Sequence, residues 1–138
     1  MTTLARLAEA GYQLTAQAPG ADAEAQKAMI AKARKIAKLA AEHAGDVDAK
    51  SRFPHEVFEA LKQERLLGIM IPAVHGGEEA SLATIAEICS VLAQACGSTG
   101  MIYAMHQIKA SSLVVHCNDD PWQAGFMARI AREQLLLA

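Results

Sequence analysis

Apolar residues recur at helical spacing over most of the chain, and this pattern predicts an all-helical protein. Between Asp22 and Ala44, the residues Ala25, Met29, Ala33, Ile36, Ala37 and Ala40 fall on one face. Lys27, Lys32, Lys35 and Lys38 occupy much of the opposite face, which reads as solvated. Asp22 is a suitable N-cap, and Gly45 is expected to end this helix as its C′ residue. Asp46-Val47-Asp48 reads as surface loop leading to Phe53. Pro54 opens a second, short helix with apolar Val57, Phe58 and Leu61, because a proline's missing N–H has no intrahelical partner in a first turn. The apolar run Leu66-Leu67-Gly68-Ile69-Met70-Ile71 comes next, closed by Pro72. The residue before a proline is pushed out of the α region, so Ile69 to Ile71 are expected to be extended. His75-Gly76-Gly77 then makes a turn in which glycine permits positive φ or a close backbone approach.

Ser81 is a good N-cap for a third main helix, Leu82 to Ala95. Its stripe runs Leu82, Ile85, Ala86, Cys89, Leu92, Ala93 and Cys96. Both cysteines on it read as small hydrophobes of the core. Gly97-Ser98-Thr99-Gly100 breaks the pattern, and the next helix runs from about Thr99 to Val115. Met101, Ile102, Tyr103, Met105, Ile108, Leu113, Val114 and Val115 make it apolar on most faces, which predicts a central, buried helix. Asp120 and Pro121 are cap and first residue of a last helix, carrying Trp122, Phe126, Ile130 and Leu135. Residues 1–20 read as an N-terminal extension, either a short helix through Leu4, Leu7 and Ala8 or a partly ordered tail. Residues 21–138 make the domain, an all-α bundle of about five helices. The apolar end Leu135-Leu136-Leu137-Ala138 reads as a chain stopping at the edge of its next strand.

Composition agrees with helix. Alanine supplies 29 of 138 residues and aromatics 4%, a balance that favours helix over sheet. The formal net charge of −2 gives no electrostatic case for nucleic acid or an acidic membrane surface. No apolar run approaches the roughly 20 residues of a membrane-spanning helix. Cys89, Cys96 and Cys117 form no C-x-x-C pair, which points to reduced thiols rather than a disulfide framework. The first residues lack the apolar core of a secretory signal, so the expected setting is cytoplasmic.

Chemistry is sparse. His43, His55, His75, His106 and His116 show no H-E-x-x-H or zinc-type spacing, so no metal site is expected. There is no G-x-S-x-G for a serine nucleophile and no glycine-rich phosphate loop. The segment Thr99 to His106, TGMIYAMH, mixes small residues, methionines and polar groups on one helix. Methionine adapts to irregular apolar shapes, as a pocket for a flexible chain requires; a well-packed core helix has the same composition.

The stretch Phe53 to Gly77 has the pattern F-P-x-E-x-x-x-x-L-x-x-x-x-L-L-G-I-x-I-P-x-x-x-G-G. It resembles the N-terminal helical domain of the acyl-CoA dehydrogenase family of flavoenzymes, a likeness extending from about Ala25 to the C-terminus. The resemblance implies FAD as cofactor, with FMN as the alternative. It also implies an acyl-CoA or other small-molecule substrate and a homo-oligomer, commonly a tetramer in that family. Members dehydrogenate an acyl thioester at its α and β carbons. A carboxylate removes the α-proton, and hydride passes from the β-carbon to the flavin. The base and most flavin contacts belong to middle β and C-terminal helical domains, absent here, so no catalytic residue is assigned. The family's corresponding helix lines the acyl pocket near the flavin ring. Carried over by position, this makes Thr99, Met101, Met105 and His106 the substrate and flavin pocket candidates. His106 either faces flavin or substrate or satisfies a buried hydrogen bond, and both roles stay open. His75, where the family often has an aromatic residue, is expected to be structural. One departure stands out: the family's Gly-Gly-x-Gly is here Gly76-Gly77-Glu78-Glu79. Flavin-dependent monooxygenases share the fold, tolerate variation in this loop and lack the carboxylate base. The same domain of such a monooxygenase is therefore an alternative, and a freestanding helical interaction module is another.

Overall fold

The computed structural model describes residues 23–117 and 120–137. The expectations placed on Met1 to Gly20, on the Asp22 cap and on Asn118-Asp119 lie outside them. The described residues form five α-helices and one 3-10 turn: α1 (Ala23–Lys50), α2 (His55–Gln63), the turn Ala73–His75, α3 (Leu82–Ala95), α4 (Gly97–Val115) and α5 (Pro121–Glu133). The all-α expectation holds.

The first helix does not stop at Gly45. A glycine inside a helix costs only about 1 kcal/mol relative to alanine, and the residues just after Gly45 favour continuation. Val47 is 2% exposed in the core. Asp46, expected in a loop, sits on the helix and pairs with Lys50 at 2.6 Å and Arg52 at 2.6 Å. The helix ends instead at Ser51, whose φ of 48° is left-handed. The Arg52 N–H returns to the Val47 carbonyl and the Ser51 N–H to the Asp48 carbonyl, each at 3.1 Å, the C″ and C′ bonds of a Schellman cap.

Pro54 takes the N-cap position of α2, and its carbonyl accepts from the N–H groups of Val57 and Phe58, each at 3.2 Å. Val57, Phe58 and Leu61 face inward with 0, 5 and 0% exposure. Burying each stabilises by about 1.5–3 kcal/mol. Ser81 caps α3 as expected, accepting from the Thr84 N–H at 3.1 Å, and its hydroxyl donates to Gln26 on α1. Asp120 caps α5 through the Trp122 N–H at 3.2 Å, with Pro121 at the helix start. The core lies where α1 packs along α3 and α3 along α4, with α2 against α1. Between α3 and α4 the approach is close. A Cβ added at Gly100 would stand 2.4 Å from the Ala93 Cβ.

Ile69 to Ile71, within the buried run from Leu66, departs from the extended conformation expected. The Ile71 N–H bonds the Gly68 carbonyl at 3.2 Å, making a turn, and the segment is buried throughout. Buried backbone groups need partners, and this loop recruits them from elsewhere in the chain. The Ala80 N–H reaches the Ile69 carbonyl at 2.8 Å and the Glu79 N–H the Ile71 carbonyl at 3.1 Å. Gln134 Oε1 accepts from the N–H groups of Leu67 at 3.0 Å and Gly68 at 3.3 Å. The Gly76-Gly77 turn behaves as its sequence requires. Gly76 has φ 85°, and a Cβ on Gly77 would lie 1.9 Å from the Ile71 carbonyl oxygen.

Two further expectations change. The helix α4 starts at Gly97, and one of its apolar faces is exposed in this chain rather than buried all round. Met101, Met105 and Ile108 are 64, 47 and 60% exposed. Trp122 is also exposed, stacked on Phe126 with ring centroids 5.3 Å apart.

Candidate functional site

The helix α4 carries the residues of interest, and its two faces do different work. Thr99, Tyr103 and His106 recur at i, i+4 and i+7, and each is fully buried. Met101, Met105 and Ile108 recur at the same spacing on the exposed side. Of the pocket candidates, the fold therefore places Thr99 and His106 inside and Met101 and Met105 on the open face.

The buried face grips the Leu66–Ile71 loop. Tyr103 donates its hydroxyl proton to the Leu66 carbonyl at 2.7 Å, and burial pushes that hydroxyl's pKa well above the ordinary tyrosine range. His106 Nδ1 accepts from the Leu137 N–H at 3.0 Å. Its Nε2 therefore carries the proton and donates to the Leu67 carbonyl at 2.6 Å. Burial lowers the pKa of His106, with the Leu67 carbonyl acting in the opposite direction. A neutral imidazole with both nitrogens engaged by backbone is a structural tie between three segments. Thr99 Oγ1 is buried with no hydrogen-bond partner.

A groove opens between α3 and α4, with a volume of about 260 Å³. The third helix supplies Leu82, Ile85 and Cys89, α4 supplies Ala104, Gln107 and Ile108, and the loop supplies Met70. Met70, Ile85 and Gln107 are buried and close its inner side, while Leu82 and Ile108, 59 and 60% exposed, mark its open side. None of the lining side chains is charged. Gln107 donates from Nε2 to the Leu66 carbonyl at 3.4 Å, and its Oε1 has no partner. Burial raises the Cys89 thiol above the usual cysteine pKa, so it is protonated and a weak nucleophile.

A second, wider recess of about 540 Å³ is lined by Val47, Arg52, Phe53, Met101 and Ile102 among others. Its one cation is already engaged. Arg52 holds both oxygens of Glu56 at 3.0 Å and Asp46 at 2.6 Å. Lys50 and Arg52 hold the Asp46 carboxyl below its ordinary pKa, and Arg52 does the same for Glu56.

Among the described residues no group of histidine, cysteine and carboxylate side chains is placed to hold a metal ion. No described helix is long and apolar enough to cross a membrane. A flavin needs donors for its phosphates and ring edge as well as an apolar flank. The described residues supply the flank through Met101, Met105 and Ile108. The Gly76-Gly77 turn is no phosphate cradle, because the Ile71 carbonyl fills the space beside Gly77. The described residues do not hold a flavin by themselves.

Residues 23–134 match the family described as "Acyl-CoA dehydrogenase, N-terminal domain". The chain belongs to the acyl-CoA dehydrogenase family. It is 29% identical over 98 residues, 70% of this chain and 25% of the relative, to 3-sulfinopropanoyl-CoA desulfinase of Paraburkholderia xenovorans strain LB400. To cyclohex-1-ene-1-carbonyl-CoA dehydrogenase of Geobacter metallireducens it is 29% identical over 115 residues, 83% of this chain and 30% of that one. To a probable acyl-CoA dehydrogenase, YngJ, of Bacillus subtilis strain 168 it is 36% identical over 67 residues, 49% of this chain and 18% of the relative. These alignments cover under a third of each relative's length. No solved structure matches the chain.

Sequence reasoning missed Gln107, Ile108 and Ala104 as groove residues. Ile108 carried a signal, being seven residues after Met101 on one helical row. Gln107 carried a weaker one, as an uncharged polar residue inside an apolar helix.

Proposed function

We propose that this domain forms one wall of the acyl pocket in an FAD-dependent enzyme that dehydrogenates acyl-CoA thioesters at the α and β carbons. The observation that carries the reading is the family match across 23–134. The groove between α3 and α4 takes the acyl chain. Met101 and Met105 turn their exposed face to the part of the enzyme that holds the flavin and the base. Thr99 and His106 sit buried on the opposite side of the same helix, where His106 fixes its position against the loop through the Leu67 carbonyl. Flavin supplies the redox chemistry when bound; the contribution of this chain is to position the thioester's tail and exclude water from it. Two relatives bear names that specify acyl-CoA thioesters, one with an uncharged ring and one with a sulfinate. That supports an acyl-CoA as the substrate class while leaving the acyl group open.

The test is to purify the protein with every domain its reading frame encodes and record its absorbance under anaerobic conditions. A bound flavin that bleaches when acyl-CoA is added is the expected result. A preparation with no flavin and no acyl-CoA binding overturns the reading in favour of an interaction module. Flavin that reacts with oxygen after reduction by an external donor, yet is untouched by any acyl-CoA, assigns the domain to a monooxygenase.

A further inference from the structure

We propose that the α3–α4 groove selects short, uncharged acyl groups and excludes acyl tails that end in an anion. The inference rests on the dehydrogenase reading above and adds the chemical class of the acyl group. Size is the first argument. The groove encloses about 260 Å³, and at roughly 30 Å³ for a water-sized group it holds about nine non-hydrogen atoms. A longer chain projects past Leu82 and Ile108 on the open side.

Charge is the second. No lining side chain is a cation. Glu87 on α3 is directed away to Arg34 of α1 at 2.9 Å, and Lys109, beside Ile108, is exposed and outside the lining. The polar atoms present do not replace a cation. Gln107 gives one amide N–H to the Leu66 carbonyl at 3.4 Å and leaves its Oε1 without a partner, so it offers a carboxylate a neutral amide and no positive charge. Ser111 adds one neutral hydroxyl. Moving an anion out of water into such surroundings leaves it without compensating partners. An uncharged chain meets no such penalty and gains contact with Ile85, Met70 and Ala104.

The test uses the intact enzyme and two unreactive CoA thioethers of equal chain length, one ending in a methyl group and one in a carboxylate, with dissociation constants read by calorimetry. The carboxylate probe is expected to bind at least about a hundredfold more weakly. Ile108→Arg places a cation at the exposed edge of the groove, where the fold tolerates it. It is expected to improve carboxylate binding by about fivefold or more relative to the methyl probe. Ala86→Phe narrows the groove and is expected to weaken the longer methyl-ended thioethers first. Comparable affinities for the two probes overturn the inference. So does a pair of variants that bind both probes like the wild type, because the acyl chain then lies elsewhere, although the dehydrogenase reading stands. If neither probe binds and no acyl-CoA bleaches a flavin, the dehydrogenase reading fails and the inference falls with it.

Discussion

His106 offers the sharpest test of how this fold is held. His106→Leu removes a donor from the Leu67 carbonyl and an acceptor from the Leu137 N–H, in a site with no solvent exposure at the histidine. Each lost hydrogen bond is worth about 1 kcal/mol net, and a buried partner left unsatisfied costs about 1–3 kcal/mol. After the apolar gain of leucine, a net destabilisation of about 2–4 kcal/mol is expected. A domain of this size is stable by about 5–15 kcal/mol in total, so urea unfolding monitored by circular dichroism resolves the change easily. His106→Gln keeps a donor of similar reach for Leu67 but no acceptor for Leu137, and it is expected to fall between leucine and wild type.

The same residue makes a pH prediction with a definite sign. Burial holds the folded-state pKa of His106 below its ordinary 6.5. As pH falls through 6.5, the unfolded chain takes up a proton that the folded chain refuses. Stability is therefore complete above that pH and declines below it, by up to about 1.4 kcal/mol per pH unit until the folded pKa is reached. Asp46, Glu56 and Glu133 have folded pKa values depressed from 3.8, 4.5 and 4.5. Their contributions are lost only at more acidic pH, and the other histidines, including His43 beside Glu56 at 3.7 Å, are common to wild type and variants, so the difference in slope just below 6.5 reports His106. Wild type is expected to show the slope there and both variants to lose it. The reasoning is refuted if His106→Leu unfolds within about 0.5 kcal/mol of wild type, or if both variants keep the wild-type slope.

Single contacts elsewhere in the fold give three more expected outcomes. Gly77→Ala drives a Cβ to 1.9 Å from the Ile71 carbonyl oxygen; a loss of more than about 2 kcal/mol is expected in chemical unfolding, and an unchanged midpoint contradicts it. Ser81→Ala removes the α3 cap on the Thr84 N–H and the hydroxyl's bond to Gln26 and is expected to cost about 1–2 kcal/mol in chemical unfolding; an unchanged midpoint contradicts it. The Cys89 thiol, with its pKa raised by burial, is expected to alkylate more slowly in the folded protein than in urea at mildly alkaline pH. Mass spectrometry of iodoacetamide-treated samples reads this directly, and equal rates in the two states contradict the assignment.

The helical architecture was legible because periodicity and caps are local signals. Ser81 and Asp120 each cap the helix their sequence context predicts, and Val57, Phe58 and Leu61 face inward at the spacing that marked them. The errors arose where tertiary contacts decided. Gly45 looked like a stop, yet Val47 in the core and the Asp46 pairs favour another turn of helix. Ile69 to Ile71 looked extended from Pro72 alone, because nothing local reveals that Glu79 and Ala80 supply N–H groups to the Ile71 and Ile69 carbonyls, or that Gln134, Tyr103 and His106 anchor the preceding Leu66 to Gly68. The groove was less legible still. It needs side chains from α3, α4 and the loop, and none of those segments carries a chemical motif.

Polar residues on the buried side of α4 show what the core reading of its composition amounts to. Thr99, Tyr103, His106 and Gln107 together look like a binding constellation. Three of them bond the Leu66 and Leu67 carbonyls, which lie in a loop too irregular to satisfy itself. The hydrogen-bonding capacity that a strand would find in a neighbouring strand is supplied here by helix side chains. That assignment removes most of these polar groups from the set available to a ligand. What remains on α4 is apolar: the Met101, Met105 and Ile108 row, and the groove beside it. The domain spends polar side chains of α4 on its own loop and leaves Met101, Met105 and Ile108 uncovered, an arrangement consistent with the proposed role of holding a hydrocarbon tail.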